Sequence, residues 1–382
     1  MPSSTHPHVL IVVPEMRFFL SHRLNIGLAA RSAGWRVGVA APPGPDCADP
    51  RLARAGIEVH PLPLPRGARS PLGQARAVAR LHALMRDLRP DLVHLVTSKP
   101  MLYGGLAARR LGIPVVAAVT GLGFAFIQNG AKARAIRTGM VAGYRALLGR
   151  AGNRLIFQNR DDAALFRRLG ITGQARVELI PGSGVDLDAI RPAPLPDGPP
   201  VALLPARMLR DKGVDEFVTA ARILRAQGSD AVFRLMGDPD PGNPASLTRT
   251  ELEAIAAEGI VEWHPHSPDM NAALARAHLV VLPSYREGFP KSLVDAAAAG
   301  RAAATSDVTG CRDAVIEGET GRLFALRDAD DTARVMGEML SDRAGLERMG
   351  AAARALAEAR YDAGAIAARH LEIYEATCRG VD

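Results

Sequence analysis

Short apolar runs rich in valine, isoleucine and leucine recur along this chain, each followed by a stretch of helical spacing, and a proline-dense decapeptide cuts the series in two. Before the cut the runs are HVLIVV, RVGVAA, DLVHLV, PVVAAVT, RLIFQN and RVELIP. After it they are VALLPA, VFRLMG, IVEWHP, HLVVLP and RAAATS. Runs of this kind suit parallel strands, whose sheets are covered on both faces. Among the helical stretches, one opens at Ser70 as N-cap with Pro71 in the first turn, repeats Val78, Leu81, Met85 and Leu88, and stops before Pro90. Another runs over about 22–33 and ends at Gly34. The decapeptide RPAPLPDGPP, residues 191–200, holds five prolines and fits neither a helix nor a central strand. Strand–helix alternation on both sides of it predicts an α/β fold of two doubly wound, Rossmann-like domains facing across a cleft, with ligands at the carboxyl ends of strands. The expected boundaries are a first domain over 1–190, a linker over 191–200, a second domain over 201–355, and a C-terminal helix over 356–382 packing back on the first domain.

A chain of 382 residues outgrows a single core. Its cysteines, Cys47, Cys311 and Cys378, form no disulfide framework or zinc pattern, so a reducing compartment is expected. The polar start and the brevity of HVLIVV do not make a signal peptide, and the uncharged stretch from Arg110 to Lys132 contains Pro114 and several glycines, so it reads as a strand and a loop rather than a membrane span. The net charge of +7 is unevenly spread. Residues 1–178 carry 25 Lys and Arg against 9 Asp and Glu; residues 179–382 carry 22 against 31. A basic half facing an anionic partner is the natural inference, the options being nucleic acid, an anionic membrane surface or a phosphorylated substrate. Aromatic residues at 4% and the lack of any nucleic-acid module argue against the first. No G-x-G-x-x-G is present, which disfavours a redox dinucleotide enzyme.

The residues that carry chemistry cluster in the second half. Arg207 and Lys212 follow the strand VALLPA, where a guanidinium and an ammonium on one loop make a diphosphate clamp. Solvated loop cations are the alternative. After HLVVLP comes Ser284-Tyr285-Arg286-Glu287-Gly288-Phe289-Pro290-Lys291-Ser292, with Asp295 beyond. Pro290 can open a helix whose first N–H groups favour phosphate, and Gly288 lets the backbone approach a ligand. Glu287 and Asp295 beside the basic clamp suit a ligand with both phosphates and hydroxyls; a plain helix cap is the other reading of Glu287.

These two segments resemble the retaining glycosyltransferases of family 4, which have the GT-B fold and carry an Arg…Lys pair followed by Glu, seven residues and Glu. Arg207 and Lys212 match the pair and Glu287 the first Glu. The similarity extends through Gly237-Asp238-Pro239, Trp263, Gly300-Arg301, Ser306-Asp307 and Gly310-Cys311-Arg312. In the first domain, Thr120-Gly121-Leu122-Gly123, Phe157-Gln158-Asn159 and the run 180–186 resemble a branch that adds sugars, often N-acetylhexosamines, to undecaprenyl-diphosphate-linked intermediates of bacterial surface glycans. The resemblance implies a retaining transfer of a hexose or N-acetylhexosamine from a nucleotide sugar, UDP-linked by branch, to a lipid-diphosphate-linked sugar. Arg207, Lys212 and Glu287 would be the catalytic set, and Gly288, Phe289, Pro290, Lys291, Ser292 and Asp295 would bind the donor. Fixed positive groups would stabilise charge developing on the leaving diphosphate. The implied setting is cytoplasmic, at the inner face of the inner membrane, with no nucleic-acid partner.

Two features depart from the family. Asp295 stands where it has Glu, a reach shorter by about 1.5 Å, and residues 302–304 are Ala-Ala-Ala where it has bulkier residues. No metal or other cofactor is expected; Asp238-Pro239-Asp240 and Asp186-Leu187-Asp188 spell D-x-D, a pattern common by chance. By position Arg17 and His22, with Gly121 and Gly123, would line the acceptor side, although His22 also reads as a helix-start residue without chemistry. Phe124-Ala125-Phe126-Ile127 with Lys132, Arg134 and Arg137 mixes apolar and basic groups as a membrane-surface contact does. A nucleotide-sugar epimerase of similar fold and a catalytically weak nucleotide-sugar-binding paralogue are the alternatives.

Overall fold

The computed structural model describes residues 6–64, 71–121 and 130–380. The chain divides into two compact units, Met1–Ser183 with Ala363–Asp382, and Gly184–Asp362.

The first unit is built on parallel strands β1 (His8–Val12), β2 (Arg36–Ala41), β3 (Glu58–Pro61), β4 (Leu92–Val96), β5 (Val115–Val119), β6 (Arg154–Phe157) and β7 (Arg176–Leu179). Their order in the sheet is β3-β2-β1-β4-β5-β6-β7. All five residues of β1, β4 and β5 are buried, as the continuous apolar runs require of strands covered on both faces. The strand missing from the sequence reading is β3, an edge strand of only half-buried and exposed residues, so no apolar run marks it. The helix expected over 22–33 is Leu24–Ser32, followed by Gly34 at φ +84°, and a separate helix, Met16–His22, precedes it. Arg23 separates them at φ −136°, and its wholly buried guanidinium donates to the His22 carbonyl at 3.0 Å. The helix Pro71–Leu88 ends where expected; its proposed cap, Ser70, lies outside the described residues.

The second unit has β8 (Val201–Pro205), β9 (Val232–Met236), β10 (Val261–His264), β11 (Leu279–Leu282), β12 (Ala302–Ser306) and β13 (Gly321–Phe324), parallel in the order β10-β9-β8-β11-β12-β13. The short edge strand β13 was not expected; its middle residues are only half-buried. Just ahead of the alanines of β12 two helices and the chain approach one another closely. The helices Lys291–Ala298 and Arg343–Arg360 meet through Ala297, Ala298, Ala353 and Ala357, and a β-carbon on Gly350 would stand 2.3 Å from the Gly300 carbonyl oxygen just before β12. Small side chains let that helix lie close on the strand.

Two boundaries differ from expectation. The second unit begins at Gly184, ahead of the proline-rich segment, and that segment is held along the unit rather than free. Arg301, 1% exposed, donates to the carbonyls of Ala193, Pro194, Leu274 and Ala275. Arg343 donates to those of Leu195 and Pro196. Prolines leave carbonyls without neighbouring N–H groups, and arginines supply the missing donors. At the other end, the helix Ala363–Arg379 belongs to the first unit from Ala363, not from residue 356, which lies inside Arg343–Arg360. It is fastened by Asn25, whose Nδ2 donates to the carbonyls of Ser183 (3.2 Å) and Ala363 (3.1 Å), and by a buried contact of Tyr374 with His94 on β4. Among the described residues, no helix is long and apolar enough to cross a membrane.

Candidate functional site

In each sheet the strand order reverses once: between β1 and β4 in the first unit, and between β8 and β11 in the second. The carboxyl ends of the strands flanking such a reversal leave a crevice that no crossover fills, which is where open α/β sheets bind ligands. In the second unit the segment Arg207–Lys212 leaves β8 and the segment Ser284–Pro290 leaves β11, so the fold itself brings the two sequence motifs to one place.

Three contacts stitch the motifs together. The Tyr285 N–H donates to the Asp211 carbonyl at 2.9 Å. Gly213 turns at φ +75°, and a β-carbon there would meet the Pro283 carbonyl oxygen at 2.2 Å, so only glycine permits the approach. Lys212, ending the short 3-10 turn Arg210–Lys212, forms an ion pair with Glu287 Oε1. The same oxygen accepts from the Ser284 hydroxyl at 2.6 Å. Lys212 and Glu287 retain 21% and 13% of their side-chain exposure, so the pair is shielded but reachable. The Glu287 backbone is held from the next loop, its N–H donating to the Thr309 carbonyl at 3.1 Å. Beside it, burial first and the Glu287 charge second push the Cys311 thiol far up its scale, so it stays a neutral packing group.

Arg207 is displayed differently. Its side chain is 60% exposed and its Nη1 lies 2.7 Å from Asp240 Oδ2, on the loop after β9. Gly288 and Pro290 are buried, and Pro290 immediately precedes the helix Lys291–Ala298. Phe289 packs edge-on against Tyr361, with ring centroids 5.4 Å apart. Ser292 is half-buried in the first turn. Asp295 is buried one turn further on and pairs with Lys291; burial raises its carboxyl pKa, and the Lys291 ammonium pulls the other way. A carboxylate and hydroxyls, backbone N–H groups at a helix start and two cations thus lie at the carboxyl edge of one sheet, chemistry able to pair with phosphates and hydroxyls.

The structure also shows residues that the motifs did not single out. The Tyr285 hydroxyl donates to Glu216 Oε1 at 2.7 Å, and the Arg327 guanidinium lies 4.2 Å from the Tyr285 ring centre. Those partners come from 69 residues upstream and from beyond β13, a separation no local signal bridges. Neither D-x-D pair stands free: Asp186 Oδ1 accepts from the N–H groups of Asp188 and Ala189, Asp238 Oδ1 accepts from the His266 N–H, and Asp240 holds Arg207. Among the described residues, no group of three or more His, Cys, Asp or Glu is arranged to hold a metal ion.

In the first unit, Arg17 is exposed on the helix that follows β1. His22 is the last residue of that helix, not a helix start; its ring stacks on Phe18 at 4.5 Å, and its Nδ1 lies 2.7 Å from the Ser21 hydroxyl. The helix stops one residue later because Arg23 leaves helical geometry to bury its guanidinium. Gly121 follows β5 at φ +141°. Gly123 and the apolar residues Phe124-Ala125-Phe126-Ile127 lie outside the described residues. Arg134 is exposed and Arg137 half-buried on the helix Ala131–Leu147, which also exposes Ile136.

Residues 187–356 match the family model described as "Glycosyl transferases group 1", and residues 22–182 match the "Glycosyl transferase 4-like domain". The N,N'-diacetylbacillosaminyl-diphospho-undecaprenol alpha-1,3-N-acetylgalactosaminyltransferase of Campylobacter jejuni is 28% identical over 346 residues, 87% of this chain and 89% of that one. The D-inositol 3-phosphate glycosyltransferase of Thermobispora bispora is 31% identical over 323 residues, 78% of this chain and 73% of that one. Among solved structures, HepE of Anabaena in complex with UDP and glucose superposes with a TM-score of 0.78 at 17% identity, covering 97% of this chain and 100% of that one.

Proposed function

The chain belongs to the glycosyltransferases that join a glycosyltransferase 4-like domain to a group 1 domain, and from that premise we propose that it moves a hexose or N-acetylhexosamine from a UDP-sugar to a lipid-diphosphate-linked sugar, with retention at the anomeric carbon. The observation that carries the reading is the convergence of Arg207, Lys212 and Glu287 at the β8/β11 reversal. As the glycosidic bond breaks, negative charge collects on the leaving diphosphate. Arg207, Lys212 and the N–H groups after Pro290 would supply cations and dipoles where that charge develops. Glu287, oriented by Lys212 and Ser284, would hold donor-sugar hydroxyls and favour the oxocarbenium-like centre. The leaving phosphate would take the acceptor proton on the same face, with no covalent enzyme intermediate and no metal.

The acceptor reading is supported by the Campylobacter relative, whose name places a diphospho-undecaprenol on its substrate, and by the basic first half of the chain. We place the reaction at the cytoplasmic face of an anionic membrane, with Arg17, His22 and Gly121 on the acceptor side and no nucleic-acid partner.

The decisive experiment supplies UDP-sugars and GDP-sugars with and without a polyprenyl-diphosphate-linked sugar. UDP release that depends on the acceptor, with an α-configured product by NMR from an α-linked donor, is the expected result. Isomerised donor without acceptor would replace transfer by epimerisation, and no turnover with any donor would remove the proposal.

A further inference from the structure

We infer that Asp240 is a positioning residue that holds Arg207 in reserve and competes with a nucleoside diphosphate for its guanidinium. The inference rests on the donor-site reading above and adds a residue to it. Asp240 Oδ2 lies 2.7 Å from Arg207 Nη1, and its side chain keeps 26% of its exposure against 60% for Arg207. The placement is built rather than incidental. The loop after β9 is laced to the loop after β8 by Met208 N–H to the Asp238 carbonyl (3.1 Å), Arg210 N–H to the Ala245 carbonyl (2.8 Å) and Leu247 N–H to the Met208 carbonyl (2.9 Å). Within that loop the Asp240 N–H donates to the Ser246 hydroxyl at 2.8 Å, and the Asp240 carbonyl accepts from the Asn243 N–H at 2.8 Å. The carboxylate is therefore presented to Arg207 from a folded turn.

The consequence is electrostatic. Both clamp cations are paired with carboxylates, Arg207 with Asp240 and Lys212 with Glu287. A guanidinium has five N–H donors, and the contact with Asp240 occupies one side of it, so it can turn other donors to a phosphate. The arriving diphosphate nevertheless has to share the Arg207 guanidinium with the Asp240 carboxylate, which already draws on its charge and one of its donors. It is held less tightly than two unopposed cations would hold it, and the product diphosphate leaves more readily.

The test is Asp240→Asn, which keeps the side chain's shape and removes its charge, titrated with UDP by calorimetry on the full chain. An exposed ion pair of this kind corresponds to tightening on the order of two- to fivefold. The donor KM should fall by a similar factor, with kcat unchanged or lower. In an Arg207→Ala background the same substitution should change nothing, because no cation remains to be released. Weaker UDP binding by Asp240→Asn would mean that the carboxylate aims Arg207 at the ligand, and tightening that persists without Arg207 would mean general charge only; either overturns the inference. Unchanged affinity where the native chain binds UDP overturns it as well, and leaves the donor site standing. If the native chain binds neither UDP nor GDP, the donor-site reading itself falls and the inference goes with it.

Discussion

Gly310 lies directly against Glu287: a β-carbon on Gly310 would stand 2.4 Å from the Glu287 carbonyl oxygen, and Gly310 itself sits at φ +82°. The loop after β12 is thus the floor under the acidic residue of the site, and its shape depends on a missing side chain. Gly310→Ala combines left-handed strain with a backbone clash, a penalty of about 1–3 kcal/mol from strain alone. A lower thermal midpoint together with a loss of turnover larger than the loss of folded protein is expected; full activity in a destabilised but folded variant would show that Glu287 does not depend on this floor.

Glu287 and Lys212 share a shielded ion pair, so changing either one tests both geometry and charge. Glu287→Gln keeps an oxygen for the Ser284 hydroxyl and should fold normally. If charge at this point acts on the transition state, turnover should fall by about 10²-fold or more while UDP affinity changes little. Lys212→Ala should weaken UDP binding itself. Equal effects of the two variants on UDP affinity would argue against separate roles.

Asp295 carries its charge at a stability cost. Burial raises its carboxyl pKa above the unfolded value, an effect that the Lys291 ammonium opposes. For an acid with a raised folded pKa, stability is greatest below the unfolded pKa and declines as pH rises through the folded one. Asp295→Asn should therefore leave the thermal midpoint at pH 7 equal or higher, while donor affinity drops if the carboxylate holds the ligand. A clearly lower midpoint would show that the Lys291 pair outweighs desolvation.

The first unit contains an acid-sensitive junction. His94 on β4 meets the Tyr374 hydroxyl at 2.5 Å and faces His370 at 5.8 Å, with the Arg23 guanidinium buried nearby. Burial first, then the Arg23 charge, pushes His370 down to about 3; burial, His370 and Arg23 hold His94 well below its usual value. Both histidines are neutral in the folded chain and would protonate near pH 6.5 when unfolded, so their contribution is full above about pH 6.5 and is lost as pH falls below it, for His370 toward about 3. Trp35, 5.7 Å from Tyr374, reports on this junction in a Trp263→Phe background. Its emission should show an acid transition that His370→Met makes shallower; an unchanged slope would remove the histidine from the explanation.

Arg301→Met should lower the stability of the second unit markedly. It strips donors from the carbonyls of Ala193, Pro194, Leu274 and Ala275, and even one buried carbonyl left unsatisfied costs about 1–3 kcal/mol. Limited proteolysis within 191–200 should accelerate in step with the loss. A variant as resistant as the native chain would mean that other contacts hold the segment.

How far the site could be read in advance follows from the range of the forces involved. Arg207, Lys212 and Glu287 announce themselves because each follows a strand whose apolar run is unmistakable. Ser284 lies three residues from Glu287 and its hydrogen bond is nearly local. Glu216 and Arg327 carry no such signal: each is an ordinary charged residue on its own element, and only Tyr285 between them gives them a place. Asp240 was visible as half of a D-x-D, but pattern alone offered it a metal rather than an arginine.

Local chemistry was enough for the alternation of strands and helices, the division into two sheets and the positions of the basic and acidic residues just past strand ends, because burial on both faces writes itself into consecutive residues. It was not enough for the edge strands β3 and β13, for the attachment of 191–200 to the second unit, or for the residue at which the C-terminal helix returns to the first, since those depend on partners far along the chain. The pairings within the site belong to the second group. Arg207 meets Asp240 across 33 residues and Lys212 meets Glu287 across 75, and these charges become neighbours only when β8 hydrogen-bonds β9 on one side and β11 on the other.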